Sequence, residues 1–477
     1  MKRIIITIVI FSVLLLSIPL SVVITGFALP AQYGDTYYAE LPDMYARLRD
    51  TEGKRIVVIG GSAVAFGLRG DLIESEFEDY TVCPFGLYGS IGTKFMMDLS
   101  EDLIKDGDIV LIAPEQSRQS MSLYFGAEYV WRAADCDFSV LGGVSGEDVG
   151  KMTGTFAAYV ADKLGYYSSG SAPSPDGVYA HSSFNDDCML VYDRPHNVMP
   201  DGVDLSTAIS YGDDVMSGDF ASYVNEYTAK AEKRGATVLF AFTPVNEAGV
   251  SDDEGENDPD AFYDGIGSAL ECDILGDPKD YIFEKEWFYD NNVHCNSAGA
   301  VLYTDRLVRD IKAWMGDTSP TEIVVPDMPP MPETDTPQSG DDVDAGMFEY
   351  EVSDGKATLV GMTDEGASRL SVTVPTHTPD GIPVTSIAAG AFADGSLTEI
   401  VLQSNIRSLP DGAFSGCASL TALCLPRDAD PADCRPGFGL LDGAPDDIVI
   451  YVGRDKITDF AVDYFWSAYA HLLEAYE

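Results

Sequence analysis

The sequence predicts an α/β protein, a parallel sheet flanked by helices, joined to a small C-terminal solenoid. Three observations predict it. Short β-branched runs alternate with helix-like stretches up to residue 316, a Pro- and acid-rich break follows at 317–345, and beyond the break the sequence repeats itself.

In the first region, Arg55-Ile-Val-Val-Ile-Gly60 reads as a buried strand that Gly-Gly-Ser breaks, and Tyr80-Thr-Val-Cys83 reads as a second. Thr93–Lys105 has helical spacing, with Phe95, Met96, Leu99 and Leu103 on one side; Gly107-Asp108 ends it, and Ile109–Ala113 is the next strand. Phe220–Lys233 is a helix leading into the strand Ala236–Phe242, and a last helix spans Ala298–Met315. Strands separated by helices imply βαβ units, whose strands run parallel. Residues 120–215 are Gly-, Ser- and Asp-rich and read as an insertion or lid over the sheet. Its aromatics Tyr124, Phe125, Tyr129 and Trp131 suit core packing better than a cleft.

The break at 317–345 reads as a linker, partly extended by its prolines. In 346–477, SIAAGAFADGSLTEIVL aligns with SLPDGAFSGCASLTALCL, pairing Ile387 with Leu409, Phe392 with Phe414, Leu397 with Leu420, Ile400 with Leu423 and Leu402 with Leu425. Fixed leucine offsets at a period of roughly 20–29 signal a leucine-rich solenoid, in which each unit buries its face only against its neighbours. Partial units at Leu370–Val374 and Ile448–Val452 are expected to cap it.

Charge and the N-terminus bound the setting. The 477 residues carry 29 Lys+Arg against 78 Asp+Glu, a net charge of −49, which argues against nucleic acid or an anionic membrane surface as a partner of the folded body. After Lys2-Arg3, Ile4–Ala31 holds no charged side chain. About 20 apolar residues cross a bilayer, so residues 1–31 are expected to anchor the chain with its N-terminus in the cytoplasm and its body outside. The competing reading is a signal peptide cleaved near Gly26-Phe27-Ala28, which leaves the body secreted. The eight cysteines form no C-x-x-C pair and are expected to serve mostly as small buried hydrophobes. The acid-rich run Ser251–Asp260 lacks EF-hand spacing and reads as a solvated loop, so no metal and no cofactor are expected.

Chemistry points to the ends of the first region. Gly60-Gly61-Ser62 follows a buried strand and opens a helix-like stretch; that geometry can present a nucleophilic hydroxyl above the carboxyl end of a sheet, and it equally suits a plain N-cap. Tyr289-Asp290-Asn291-Asn292-Val293-His294 precedes the last helix, and a His on a loop beside a carboxylate can act as an oriented general base.

Together these blocks resemble the SGNH/GDSL-type hydrolases, in which a Gly-Asp-Ser-like block supplies the serine and an Asp-x-x-His block before the last helix supplies the other triad members. The resemblance implies a flavodoxin-like parallel sheet with the site at the strands' carboxyl ends, and a catalytic Ser62 with His294 as base. Asn291 occupies the strict Asp position and Asp290 stands one residue earlier, so Asp290 is taken as the orienting acid. It further implies an oxyanion hole from the N–H groups of Ser62 and Gly86, with Gly61, Glu115 and Asn291 lining the site. Ala113-Pro114-Glu115 replaces the family's Gly-x-Asn block; an ionised carboxylate cannot donate to an oxyanion. The implied activity is ester hydrolysis or O-acyl transfer on an acylated glycan or small ester. The G-A-F and S-L elements of the repeats resemble the BspA-like leucine-rich repeats of bacterial surface proteins, which implies a protein or glycan ligand there. The alternative is a catalytically inactive surface adhesion or interaction protein that works through its repeats.

Overall fold

The computed structural model describes residue 17, residues 19–331 except 171, 176, 200–201, 205–208, 213 and 251–257, and residues 345–475 except 354, 393–396, 404–405, 407, 427–428, 432–433, 438–439, 442, 446–447, 455, 463–465, 467–468 and 470–471. The chain divides into two compact units, Met1–Pro332 and Glu333–Glu477.

Unit 1 is built on a parallel sheet of β1 (Lys54–Gly60), β2 (Tyr80–Gly86), β3 (Ile109–Ala113), β4 (Thr237–Ala241) and β5 (Asp273–Leu275), in the order β2-β1-β3-β4-β5. Every residue of β3, and of β1 after Lys54, is buried. That fits strands covered on both faces, where continuous apolar runs replace alternation. Gly60 pairs with Gly86 on one side and Ala113 on the other, so the carboxyl ends of β2, β1 and β3 lie level. The residues that follow them, from Gly61, Leu87 and Pro114 onward, share one edge of the sheet. Arg55 is buried inside this frame, its guanidinium on Asp108 (Nε–Oδ1 3.0 Å) and on the carbonyls of Leu48 and Leu103, which satisfies a charge that would be costly alone.

Helices α1 (Glu40–Asp50), α2 (Ser62–Gly67), α3 (Thr93–Glu101), α4 (Val149–Ser169), α5 (Gly218–Lys233) and α6 (Ser297–Trp314) complete the layers that matter for the site. The α3, α5 and α6 spans follow the sequence periodicity closely, although α3 stops at Glu101 rather than running on to Lys105. The 21-residue α4 falls inside the region read as an irregular insertion. Its glycines at 150, 154 and 165 and its few buried positions leave only a weak helical stripe in the sequence.

Among the described residues no helix is long and apolar enough to cross a membrane. The expected anchor falls largely on residues 1–16 and 18, outside the described residues, while 19–28 are helical. Phe27, within the expected cleavage motif, packs against Trp131, Phe138 and Phe156, with centroids 6.2, 4.7 and 5.6 Å away. The segment read as a linker begins as part of unit 1: Thr321 Oγ1 donates to Asp305 Oδ1 (2.5 Å), and Lys312 Nζ donates to the carbonyl of Pro320 (3.3 Å). Residues 332–344 lie outside the described residues.

Unit 2 opens with a hairpin of Phe348–Ser353 and Lys356–Met362. Its main feature is a second five-stranded parallel sheet from Ser371–Thr373, Glu399–Val401, Ala422–Cys424, Val449–Val452 and Leu473–Ala475. Val372, Ile400, Leu423, Ile450 and Leu473 stand in one register across it. The first four of these are buried, and Phe392 stacks on Phe414 at 5.5 Å and 26° beneath them in the same core.

Candidate functional site

The carboxyl ends of β1 and β3 and the loop before α6 bring four chemically active side chains into one row. Ser62 is the first residue of α2, which follows β1 after Gly61 alone. His294 Nε2 lies 2.8 Å from Ser62 Oγ, and His294 Nδ1 lies 2.7 Å from Asp290 Oδ1. On the opposite side Ser62 Oγ is 2.7 Å from Glu115 Oε1, which also accepts from Ala63 N at 3.1 Å. Ser62 and His294 are 6% and 5% exposed, so the pair is nearly closed off from solvent.

The loop explains why Asp290 reaches His294 in spite of its displaced position. Phe288 and Cys295 form an antiparallel bridge, Tyr289 N donates to His294 O, and His294 N returns to Asn291 O, so the chain closes a tight loop between them. Asn291 spends its Oδ1 on Val293 N (3.1 Å) within this loop and points its amide toward Asp204. It supports the turn, and Asp290 is the acid on the imidazole. Burial alone would raise the Asp290 carboxyl, but the charge and hydrogen bond of His294 and the hydroxyl of Tyr179 (2.7 Å) outweigh burial and hold it below its ordinary value.

Packing fixes the pair. Phe66, one turn after Ser62, stacks on the His294 ring at 3.9 Å and 12°. Arg194, 2% exposed, donates to Phe66 O and Cys295 O (both 3.1 Å) and lies over the Phe66 ring at 5.2 Å. Thr304 of α6 accepts from Arg69 N and donates to Gly67 O, docking the last helix on the end of α2. Above the row lies an aromatic cluster of Tyr37, Phe66, Tyr88, Tyr179 and Phe184. Burial pushes the Tyr179 phenol well up, as does the neighbouring Asp290 charge, so it remains a donor to that carboxylate.

Glu115 has a made-to-measure seat. A Cβ on Gly61 would come within 2.5 Å of its Oε1, and one on Gly89 would collide with its Oε2. Only glycines leave room for the carboxylate there. Gly86 packs tightly behind the turn, where a Cβ would meet Gly61 O at 2.9 Å. The amide seen holding a carboxylate oxygen beside Ser62 is that of Ala63, the next residue, which the sequence reading did not name.

Ser62 Oγ has one hydrogen and two close partners, His294 Nε2 and Glu115 Oε1, so it donates to one of them at a time.

Tyr179, Ala63, Phe66 and Arg194 were not legible as site residues. Tyr179 and Arg194 come from the irregular region 120–215, where no periodicity assigns a side chain to a face.

No family model matches the chain and no curated protein matches it. Among solved structures, it is similar to the crystal structure of protein YXIM from Bacillus subtilis at 9% identity and a TM-score of 0.26, a match spanning 55% of this chain and 57% of that one, and a likeness of that degree carries no argument about fold or function.

Proposed function

We propose that unit 1 is a serine ester hydrolase or O-acyltransferase of the SGNH/GDSL type with a flavodoxin-like sheet, acting on an acylated glycan or a small ester. The observation that carries the reading is the unbroken path from Asp290 through His294 to Ser62, at 2.7 and 2.8 Å, at the carboxyl edge of a parallel sheet. In the reaction Ser62 Oγ attacks the acyl carbonyl as His294 Nε2 takes its proton. Asp290 holds the imidazole tautomer and stabilises the imidazolium, and the Ala63 N–H faces the developing oxyanion, joined in the family reading by the amides of Ser62 and Gly86. Collapse expels the alcohol, which recovers the proton from His294; water or a second hydroxyl then takes the acyl group by the same route.

The N-terminal segment is proposed to hold the protein at a bacterial membrane with its N-terminus inside, or to direct its secretion if cleaved. Unit 2 is proposed to be a BspA-like leucine-rich-repeat solenoid that binds a protein or glycan. Two features support the repeat: the strand pairing Ile400–Leu423, which is the pairing of the sequence alignment, and the Phe392–Phe414 stack from equivalent positions.

A second reading, a surface interaction protein whose site is silent, is favoured by one observation: Glu115 lies on Ser62 and occupies the Ala63 amide an oxyanion needs. Fluorophosphonate labelling and short-chain ester turnover by the intact chain, beside Ser62→Ala, decide between them. Labelling and turnover that vanish in Ser62→Ala support the hydrolase. Folded wild-type protein that neither labels nor turns over, or a mutant as active as wild type, selects the second reading.

A further inference from the structure

A second cluster, outside the Ser62 row, lies where the start of α1 meets the turn at His181–Ser183. Glu40, Asp43 and His181 each present one ligand atom, all within 4.8 Å of one another. His181 Nε2 lies 3.0 Å from Asp43 Oδ2 and 3.3 Å from Glu40 Oε2. Surface acids beside a histidine are common, and three such groups alone would mean little. What singles out this cluster is Glu40: its side chain is 2% exposed, its Oε1 is buried without a close hydrogen bond among the described residues, and beside His181 only the Cys188 thiol, a weak donor, is placed to serve the carboxyl. A buried carboxylate oxygen without a donor is costly, and native structures rarely leave one so. The three residues line a cleft of about 640 Å³ that reaches solvent through Asp43 and His181. Arg47 shares the cleft, but its guanidinium is taken by Asp187 (2.7 Å) and by Val82 O (3.1 Å).

We propose that Glu40, Asp43 and His181 form a binding site for a divalent first-row cation, with zinc as the best fit. One imidazole and two carboxylates are the donor set of zinc or manganese, while calcium and magnesium prefer oxygen alone. Three protein ligands and an opening to the cleft leave a position for water. A cation there adds a strong partner to the buried Glu40 carboxylate, whose Oε2 faces His181, and a surface with 78 acids against 29 Lys+Arg draws cations toward it.

The site also has a mechanical meaning. His181 N donates to Asp35 O, and Thr36 bridges Ala180, so the turn carrying His181 is laid against the chain entering α1. Two residues before His181 stands Tyr179, the donor to Asp290. A cation shared by α1 and this turn clamps the segment that positions the Asp290 carboxylate. The cation is thus placed to be structural, one layer away from Ser62, and takes no part in acyl chemistry.

The test uses the intact chain, stripped with a chelator and titrated with zinc, with stoichiometry read by elemental analysis after dialysis. Asp43→Asn and His181→Gln change exposed or half-exposed side chains, so folding is not at stake. Expected are one zinc per chain, weakened in each variant by at least the roughly 10-fold that loss of a supporting partner costs a metal site, and unchanged in Ser62→Ala. Hydrogen exchange over residues 177–184 should slow on adding zinc to wild type and not in His181→Gln. The proposal is overturned by absence of saturable binding below about 100 μM, by equal binding in wild type, Asp43→Asn and His181→Gln, or by binding that His294→Ala removes instead. Exchange at 177–184 that ignores bound zinc overturns the clamp.

Discussion

Glu115→Gln and Glu115→Ala differ in one respect at Ser62: the first keeps an N–H at the reach of the carboxyl oxygen, and the second leaves nothing. In wild type Oε1 sits 2.7 Å from Ser62 Oγ and 3.1 Å from Ala63 N. On the hydrolase proposed above, the donor hypothesis places a hydrogen on Glu115 during attack, so that its carboxyl serves the oxygen that becomes negative, the task of the asparagine this sequence lacks. Losing one such donor costs about 2.7–4 kcal/mol, or about 10²–10³ in rate. Glu115→Ala is therefore expected to slow labelling and ester turnover by about that factor. Glu115→Gln should stay within about 10-fold of wild type, a difference of about 1.4 kcal/mol. The assay is the pseudo-first-order rate of fluorophosphonate labelling beside ester hydrolysis at one pH, with thermal melting to show that each variant folds. An alanine variant as fast as wild type, or faster, would refute the donor reasoning and make the carboxylate a plug.

Other expectations concern the supports of the row and the second unit. Asp290→Asn should leave the imidazole in the wrong tautomer and lower turnover by on the order of 10⁴. Because the Asp290 carboxyl is held below its ordinary value of 3.8, it contributes stability above that pH that is lost as pH falls through its folded value. Urea unfolding of wild type should thus weaken more steeply below about pH 4 than that of Asp290→Asn, and equal slopes would contradict the pairing. Tyr179→Phe removes the 2.7 Å bond to Asp290, worth about 1.5 kcal/mol for a partly exposed donor to a carboxylate, and should cut kcat/KM about 10-fold at unchanged fold. Phe414→Ala empties a fully buried ring position stacked on Phe392 and should cost about 3–5 kcal/mol by chemical denaturation of the second unit. A loss near zero there would mean the ring is not part of a packed core.

Where a residue's fate depends on its own chain neighbours, the sequence spoke clearly. The strands at 55–60 and 109–113 are apolar runs bounded by breakers, and they fall where expected. Ser62 and His294 were legible for the same reason: each follows or precedes a regular element whose end is marked by glycine or an N-cap. Asp290 needed the hairpin-like closure of 288–295 to explain how an acid one residue early reaches Nδ1. Glu115 stood out as a departure from the family block, but its contact with the Ala63 amide depends on three strand ends lying level, a long-range fact. Tyr179 and His181 were not legible as site residues because the turns that carry them lack any period, and tertiary contacts with residues 35–43 and, for Tyr179, with Phe66 and Asp290 fix their direction.

The separation of Ser62 from its base by 232 positions has a consequence in time. A chain emerges N-terminus first at about 5–20 residues per second, so the serine appears roughly 12–46 s before His294. During that interval the hydroxyl is an ordinary alcohol. On the hydrolase proposed above, the serine is armed only when α6 has arrived and docked through Thr304 on Gly67, so a truncated or stalled chain would carry no reactive serine into its surroundings.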